Sequence, residues 1–186
     1  MEIINQIIED KIFKKIPAEE YYIECQFINC NFSQVATAGV IWENCTFDTC
    51  DFSLCKLKNM SFRDVLFKGC KLMGADFSIC NPFSSFRFEY CQMNYTNFHE
   101  MKISKTNFIE CELIEAYFED TNLQGSHFIQ CNLERALFHH TNLMGVDFST
   151  SYNYTIQPQN NKLKNALFSR SNLEGLVTHL GIKLID

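Results

Sequence analysis

The sequence predicts an all-β fold: a solenoid with four five-residue sides per coil, closed by a short C-terminal helix. Three observations carry this. Large apolar residues recur every five positions, a period that suits neither an amphipathic helix nor an alternating strand. All 10 cysteines occupy one slot of that period. The chain has 186 residues, is 46% hydrophobic and carries 20% charged residues, enough apolar material for a packed core. A chain turning a corner every five residues points one large side chain per side at its axis. Each coil of ~20 residues then stacks on the next at ~4.8 Å.

In order along the chain, residues 1–20 break the count and are expected to form an N-terminal cap, with Phe13 and Ile16 covering the first coil. The solenoid is expected over 21–170. Its centres run Phe27, Phe32, Thr37, Trp42, Phe47, Phe52, Leu57, Phe62, Phe67, Leu72 and Phe77. The next step falls on Pro82 and the phase slips by one, so an inserted residue must bulge or kink the coil there. The centres then run from Phe83 and Phe88 through Met93, Phe98, Ile103, Phe108, Leu113, Phe118, Leu123, Phe128, Leu133, Phe138 and Leu143 to Phe148. They resume at Leu163, Phe168 and Leu173. Only Phe13 and Phe86 of the 18 phenylalanines fall off this lattice. Gln34–Ile41 is a soft spot, and 149–162, with Asn153 and Pro158 at central positions, reads as an irregular segment.

Two positions before each centre lies a slot holding Cys25, Cys30, Cys45, Cys50, Cys55, Cys70, Cys91, Cys111 and Cys131, with Cys80 in the same relation to Pro82. Elsewhere it holds residues such as Ala75, Thr106, Ala116, Thr121, Ala136 and Thr141. A small inward side chain is wanted, and free cysteine behaves as a small hydrophobe. No pair has the two-residue gap of a zinc knuckle. Ten free thiols are expected in a reducing cytoplasm, which is also the compartment expected from a chain with neither signal peptide nor membrane anchor.

At the C-terminus, Leu173, Leu176, Val177 and Leu180 fall at helical spacing. Ser171 and Glu174 form a capping-box pattern ahead of the stripe, and Gly181 follows it as a stop. With Ile182 and Leu184, this segment (171–186) is the candidate dimer contact.

No catalytic constellation, phosphate loop or cofactor motif is apparent. His99 and His139 would stand two coils apart, ~9.6 Å, too far to share one ion. The net charge of −6 argues against a DNA-wrapping protein, and no apolar run spans a membrane. Acid is concentrated between 100 and 120, where Glu100, Glu110, Glu115, Glu119 and Asp120 form a candidate partner-binding acidic face.

The unit Thr121-Asn122-Leu123-Gln124-Gly125, continued by Ser126-His127-Phe128 and Cys131-Asn132-Leu133, resembles the A(D/N)LXX pattern of pentapeptide-repeat proteins over roughly residues 20–175. The resemblance implies a right-handed quadrilateral β-helix. Within that family the tail Leu180-Gly181-Ile182-Lys183-Leu184-Ile185 resembles the end through which Qnr quinolone-resistance proteins dimerise. The resemblance implies a homodimer and a non-enzymatic, DNA-mimicking partner of a type II topoisomerase (DNA gyrase or topoisomerase IV), as for Qnr, MfpA and McbG. Such a protein would protect the topoisomerase from quinolones or from a poisoning peptide. The five-residue count, nearly unbroken with one inserted residue near Pro82, departs from Qnr proteins in lacking projecting loops. Lys56, Lys58, Arg63, Lys68 and Lys71 dilute the acid of the first half. The other reading is a scaffold module with an unrelated partner.

Overall fold

The computed structural model describes residues 1–16, 20–35, 39–183 and 185. Its strands are β1 (Glu2–Ile4), β2 (Ile7–Glu9), β3 (Tyr21–Ile23), β4 (Gln26–Ile28), β5 (Ile41–Glu43), β6 (Thr46–Asp48), β7 (Ser61–Arg63), β8 (Val65–Lys68), β9 (Phe86–Glu89), β10 (Asn107–Ile109) and β11 (His127–Ile129). They form two parallel sheets in the orders β1-β3-β5-β7 and β2-β4-β6-β8-β9-β10-β11. Isolated parallel bridges such as Gln92↔Glu112↔Asn132 and Asn97↔Tyr117↔Leu137 build the other two sides. The result is the four-sided parallel β-solenoid expected. We number its faces 1 to 4 in chain order: face 1 carries Tyr22 and Trp42, face 2 Phe27 and Phe47, face 3 Phe32 and Phe52, face 4 Phe77 and Phe98.

The five-residue lattice becomes ladders of rings. On face 2, Phe88, Phe108, Phe128 and Phe148 stack at centroid separations of 5.2, 4.6 and 4.9 Å. On face 4, Phe98, Phe118 and Phe138 stack at 5.2 and 5.1 Å, and the two ladders meet edge to face, as Phe108 meets Phe118 at 85°. Both geometries suit the ring quadrupole. These rings are buried and fill the axis.

All ten cysteines are buried free thiols, as expected. Their slot asks for more than small size. Cys50, Cys70, Cys91 and Cys131 donate through Sγ to the carbonyls of Phe27, Phe47, Phe67 and Phe108, each 3.3 Å away. Thr121, Thr141 and Ser151 do the same through their hydroxyls, to Phe98, Phe118 and Phe128 at 2.7 Å. The slot therefore favours a small donor, which satisfies a carbonyl of the preceding coil. Burial pushes the Cys45 thiol up to about 11 and Cys55 up to about 12.

Two residues after most centres, the backbone enters the left-handed region to turn the corner. Glu100, Glu110, Glu115 and Asp120 have φ of 60°, 50°, 55° and 54°. With only 7 glycines in the chain, side-chain-bearing residues take most corners, against a steric preference of about 1–2 kcal/mol each.

Four details differ from the sequence expectation. The expected N-terminal cap is itself a coil: Ile3 pairs with Tyr22 and Ile8 with Phe27, and Phe13 stacks on Phe32 at 4.4 Å. Phe13 is thus on a lattice of its own phase, because this coil is one residue short. At the slip, Phe83 is 71% exposed whereas Phe86 is 3% exposed, the reverse of the expected assignment. The inserted residue lengthens the coil, so Phe67 pairs with Phe88 across 21 positions. In 149–162, Tyr154 and Ile156 turn inward in place of Asn153. The short C-terminal helix is present and is of 3-10 type, in two segments, Arg170–Leu176 and Thr178–Leu180, with a kink at Asn172. Ser169, not Ser171, precedes the first of them, and no side chain caps it, so the capping box is absent. Gly181 does terminate the second segment with φ 68°. Thr37 and Leu184 lie outside the described residues.

Candidate functional site

With the axis filled, chemistry is left to the outward positions: one on each side of the centre, and the corner. The register of 20 decides what meets there. Glu110 stands at the corner between faces 2 and 3. Glu115 stands between faces 3 and 4, Glu119 on face 4, and Glu100 and Asp120 on the corner between faces 4 and 1. Four of the five predicted acids therefore border face 4, and Glu110 lies one face away.

Their partners differ. Arg135 takes Glu115 at 2.8 Å and Glu134 at 3.0 Å. His99 Nε2 lies 3.8 Å from Glu100, and His140 Nδ1 lies 3.7 Å from Asp120. Glu119 is half-buried as a residue, and its carboxylate has no ion-pair or hydrogen-bond partner among the described residues. Its backbone carbonyl is 3.2 Å from His99 Nδ1. The charge is thus a local band about two coils deep, ended by Arg135, His139 and His140 on one side and by the lysines of face 4, Lys56 and Lys58, on the other.

Two surface grooves adjoin on face 4. One is lined by Tyr95, Asn97, His99, Tyr117 and Glu119; the other includes Glu119, Ala136, Leu137 and Phe138. Tyr95, Tyr117 and Leu137 are exposed aromatic or apolar groups that reading for charge alone passed over. The signal was present in the sequence: Tyr117 and Leu137 are 20 apart, immediately before the centres Phe118 and Phe138. Among the described residues, no group of three His, Cys, Asp or Glu side chains is placed to hold a metal ion. Among the same residues, no helix is long and apolar enough to cross a membrane.

The predicted dimer residues that the structure describes gather at the last coil. Leu173, Leu180 and Ile182 are exposed, and Leu176 and Val177 are half-buried. Leu163 and Phe168 beneath them are only partly buried.

A family model for the pentapeptide repeat region matches residues 40–113 and 102–177. The chain belongs to the pentapeptide-repeat family. No curated protein matches it in sequence. Two trypsin-treated variants of QnrB1, a plasmid-mediated fluoroquinolone resistance protein, share the fold. One has a TM-score of 0.64 at 19% identity, covering 100% of both chains. The other has a TM-score of 0.66 at 19% identity, covering 98% of this chain and 99% of that one. At that identity the likeness speaks for the fold.

Proposed function

We propose that this pentapeptide-repeat chain is a non-enzymatic binding rod whose partner is a type II topoisomerase, engaged through the acidic band on face 4. The observation that carries the reading is the combination of a filled axis with a rod of DNA-like length and a local excess of acid. Face 2 has nine levels, from Ile8 to Phe168, so the rod is ~38 Å long at ~4.8 Å per step, the length of ~11 base pairs. Side chains fill the interior, so function falls to outward groups, and acid on a rod complements a basic DNA-binding saddle. The shared fold with QnrB1 and the resemblance of the C-terminal tail support the same class of partner. A tail-to-tail homodimer through Leu173, Leu176, Val177, Leu180, Ile182 and Leu184 would cover the exposed last coil and double the rod. Protection from quinolones, or from a topoisomerase-poisoning peptide, is the activity such binding would confer in a bacterial cytoplasm.

Titrating the protein into a DNA gyrase supercoiling reaction, with and without a fluoroquinolone, tests this. Rescue of supercoiling in the presence of drug is the expected result. Inhibition without rescue would retain the binding and remove the protection. No effect at micromolar protein would overturn the topoisomerase reading. A second reading, a scaffold with an unrelated partner, is favoured by Lys56, Lys58, Arg63, Lys68 and Lys71, which interrupt the acid before it covers the rod.

A further inference from the structure

We infer that the face-4 grooves form a receptor for a partner polypeptide segment that presents an arginine beside an aliphatic side chain. The arginine sits against Tyr117 and Tyr95 with its guanidinium on Glu119. The aliphatic residue lies in the trough of Ala136, Leu137 and Phe138. The inference is drawn from this chain alone and stands whether or not the partner is a topoisomerase.

The protein shows on another face how it holds a guanidinium. On face 1, Arg63 Nη1 lies 3.0 Å from Glu43 Oε2 and donates to the Tyr21 hydroxyl at 3.1 Å, with the guanidinium carbon 5.9 Å from the Tyr21 ring centre. Tyr21 also donates to Glu43. A tyrosine, a glutamate and an arginine on successive coils thus make one unit, in which the fork, the carboxylate and the ring meet. Face 4 also brings a tyrosine beside a glutamate without the arginine, but on one coil; Asn97 stands where face 1 has Tyr21. Tyr117 and Glu119 flank the centre Phe118, and the next coil offers His139 where face 1 offers Arg63. Arg135, the neighbouring cation, is already taken by Glu115 and Glu134.

What remains is a carboxylate with no ion-pair or hydrogen-bond partner among the described residues, beside tyrosines that are 53% (Tyr95) and 42% (Tyr117) exposed. A planar guanidinium suits both, since its fork matches a carboxylate and its face stacks on an aromatic ring. The adjoining trough supplies the apolar half. Leu137 is 45% exposed, and Phe138 is 6% exposed where Phe98 and Phe118 on the same ladder are sealed. The reason is local: the coil above turns away in the 3-10 segment Pro158–Asn160 instead of placing another ring over Phe138. Glu119 borders both grooves, so a single extended segment can use both.

The test uses a capped tetrapeptide with adjacent leucine and arginine, titrated into the isotope-labelled full chain and followed by NMR. Shifts should centre on Tyr95, Tyr117, Glu119 and Leu137. Replacing the peptide's arginine by citrulline should weaken binding by about fivefold or more, and Glu119→Gln should do the same. Glu89→Gln makes the same change of charge on face 2 and should leave affinity unchanged. Leu137→Ser should weaken the leucine peptide and spare one with glycine in its place. Equal losses for Glu89→Gln and Glu119→Gln would reduce the effect to bulk charge and overturn the inference. Shifts centred elsewhere, or none at millimolar peptide, would also overturn it. No topoisomerase is present, so a negative result here leaves the supercoiling test standing, and the reverse.

Discussion

The regular coils from Phe88 to Phe148 and the interrupted coil around Asn81–Phe86 solve one problem in two ways. In the regular coils each centre supplies one ring, and each slot a small donor. In the interrupted coil Pro82 and Phe83 leave the interior, and Phe86, in the slot before Phe88, swings a ring toward Phe62 at a centroid distance of 5.2 Å. The insertion also removes backbone partners, and two serines replace them. Ser84 Oγ accepts from the Phe62 amide at 3.2 Å, and Ser85 Oγ accepts from the Asp64 amide at 2.7 Å. The solenoid thus preserves interior volume and backbone satisfaction, and lets the residue count vary.

The regular coils set the scale of what can be lost. Phe128→Ala removes a ring stacked between Phe108 and Phe148 and should cost ~3–5 kcal/mol, seen as a large drop in denaturation midpoint. The coils before the interruption are as sealed as the regular ones, and alkali should weaken them through their thiols. Cys45 and Cys55 have folded pKa values of about 11 and about 12, above the ordinary 9.0. The native state therefore keeps protons that the unfolded chain releases. The stability this confers is complete below pH ~9 and lost as pH rises through the folded values. A melting series from pH 8 to 11 should fall steadily, and Cys45→Ser should flatten it. The two devices for satisfying backbone groups can be compared directly. Ser84→Ala in the interrupted coil and Ser126→Ala in a regular one remove the acceptors of the buried Phe62 and Thr106 amides, and each should cost ~1–3 kcal/mol by chemical denaturation. The smallest effect belongs to the corners: Glu110→Gly relieves a left-handed side-chain-bearing residue and should stabilise by about 1 kcal/mol or less.

The sequence made the regular coils legible because a centre every five residues needs no knowledge of neighbours. Phe86 was not legible from that count. Its inward turn follows from the room left by Phe83, a tertiary fact. The pair Ser84-Ser85 was its only local sign. The first coil was hidden by one missing residue between Phe13 and Tyr22, which put Ile3, Ile8 and Phe13 in another phase. The C-terminal stripe had helical spacing, but the coil beneath it holds Gly175 against Tyr154, where an added Cβ would lie 2.1 Å from the Tyr154 carbonyl oxygen. That contact ties the segment to the solenoid edge, where Ile156 donates its amide to the Gly175 carbonyl at 2.9 Å. Of the candidate site, spacing placed Glu100 and Asp120 on one corner. Charge counting could not separate Glu119, without a partner, from Glu115, which Arg135 occupies one coil on.

The most direct test of volume over count is to melt Phe83→Ala and Phe86→Ala side by side. The structure predicts a loss of ~3–5 kcal/mol for Phe86→Ala and a change within ~0.5 kcal/mol for Phe83→Ala. A large loss at Phe83 with little at Phe86 would restore the unbroken five-residue lattice and contradict the account.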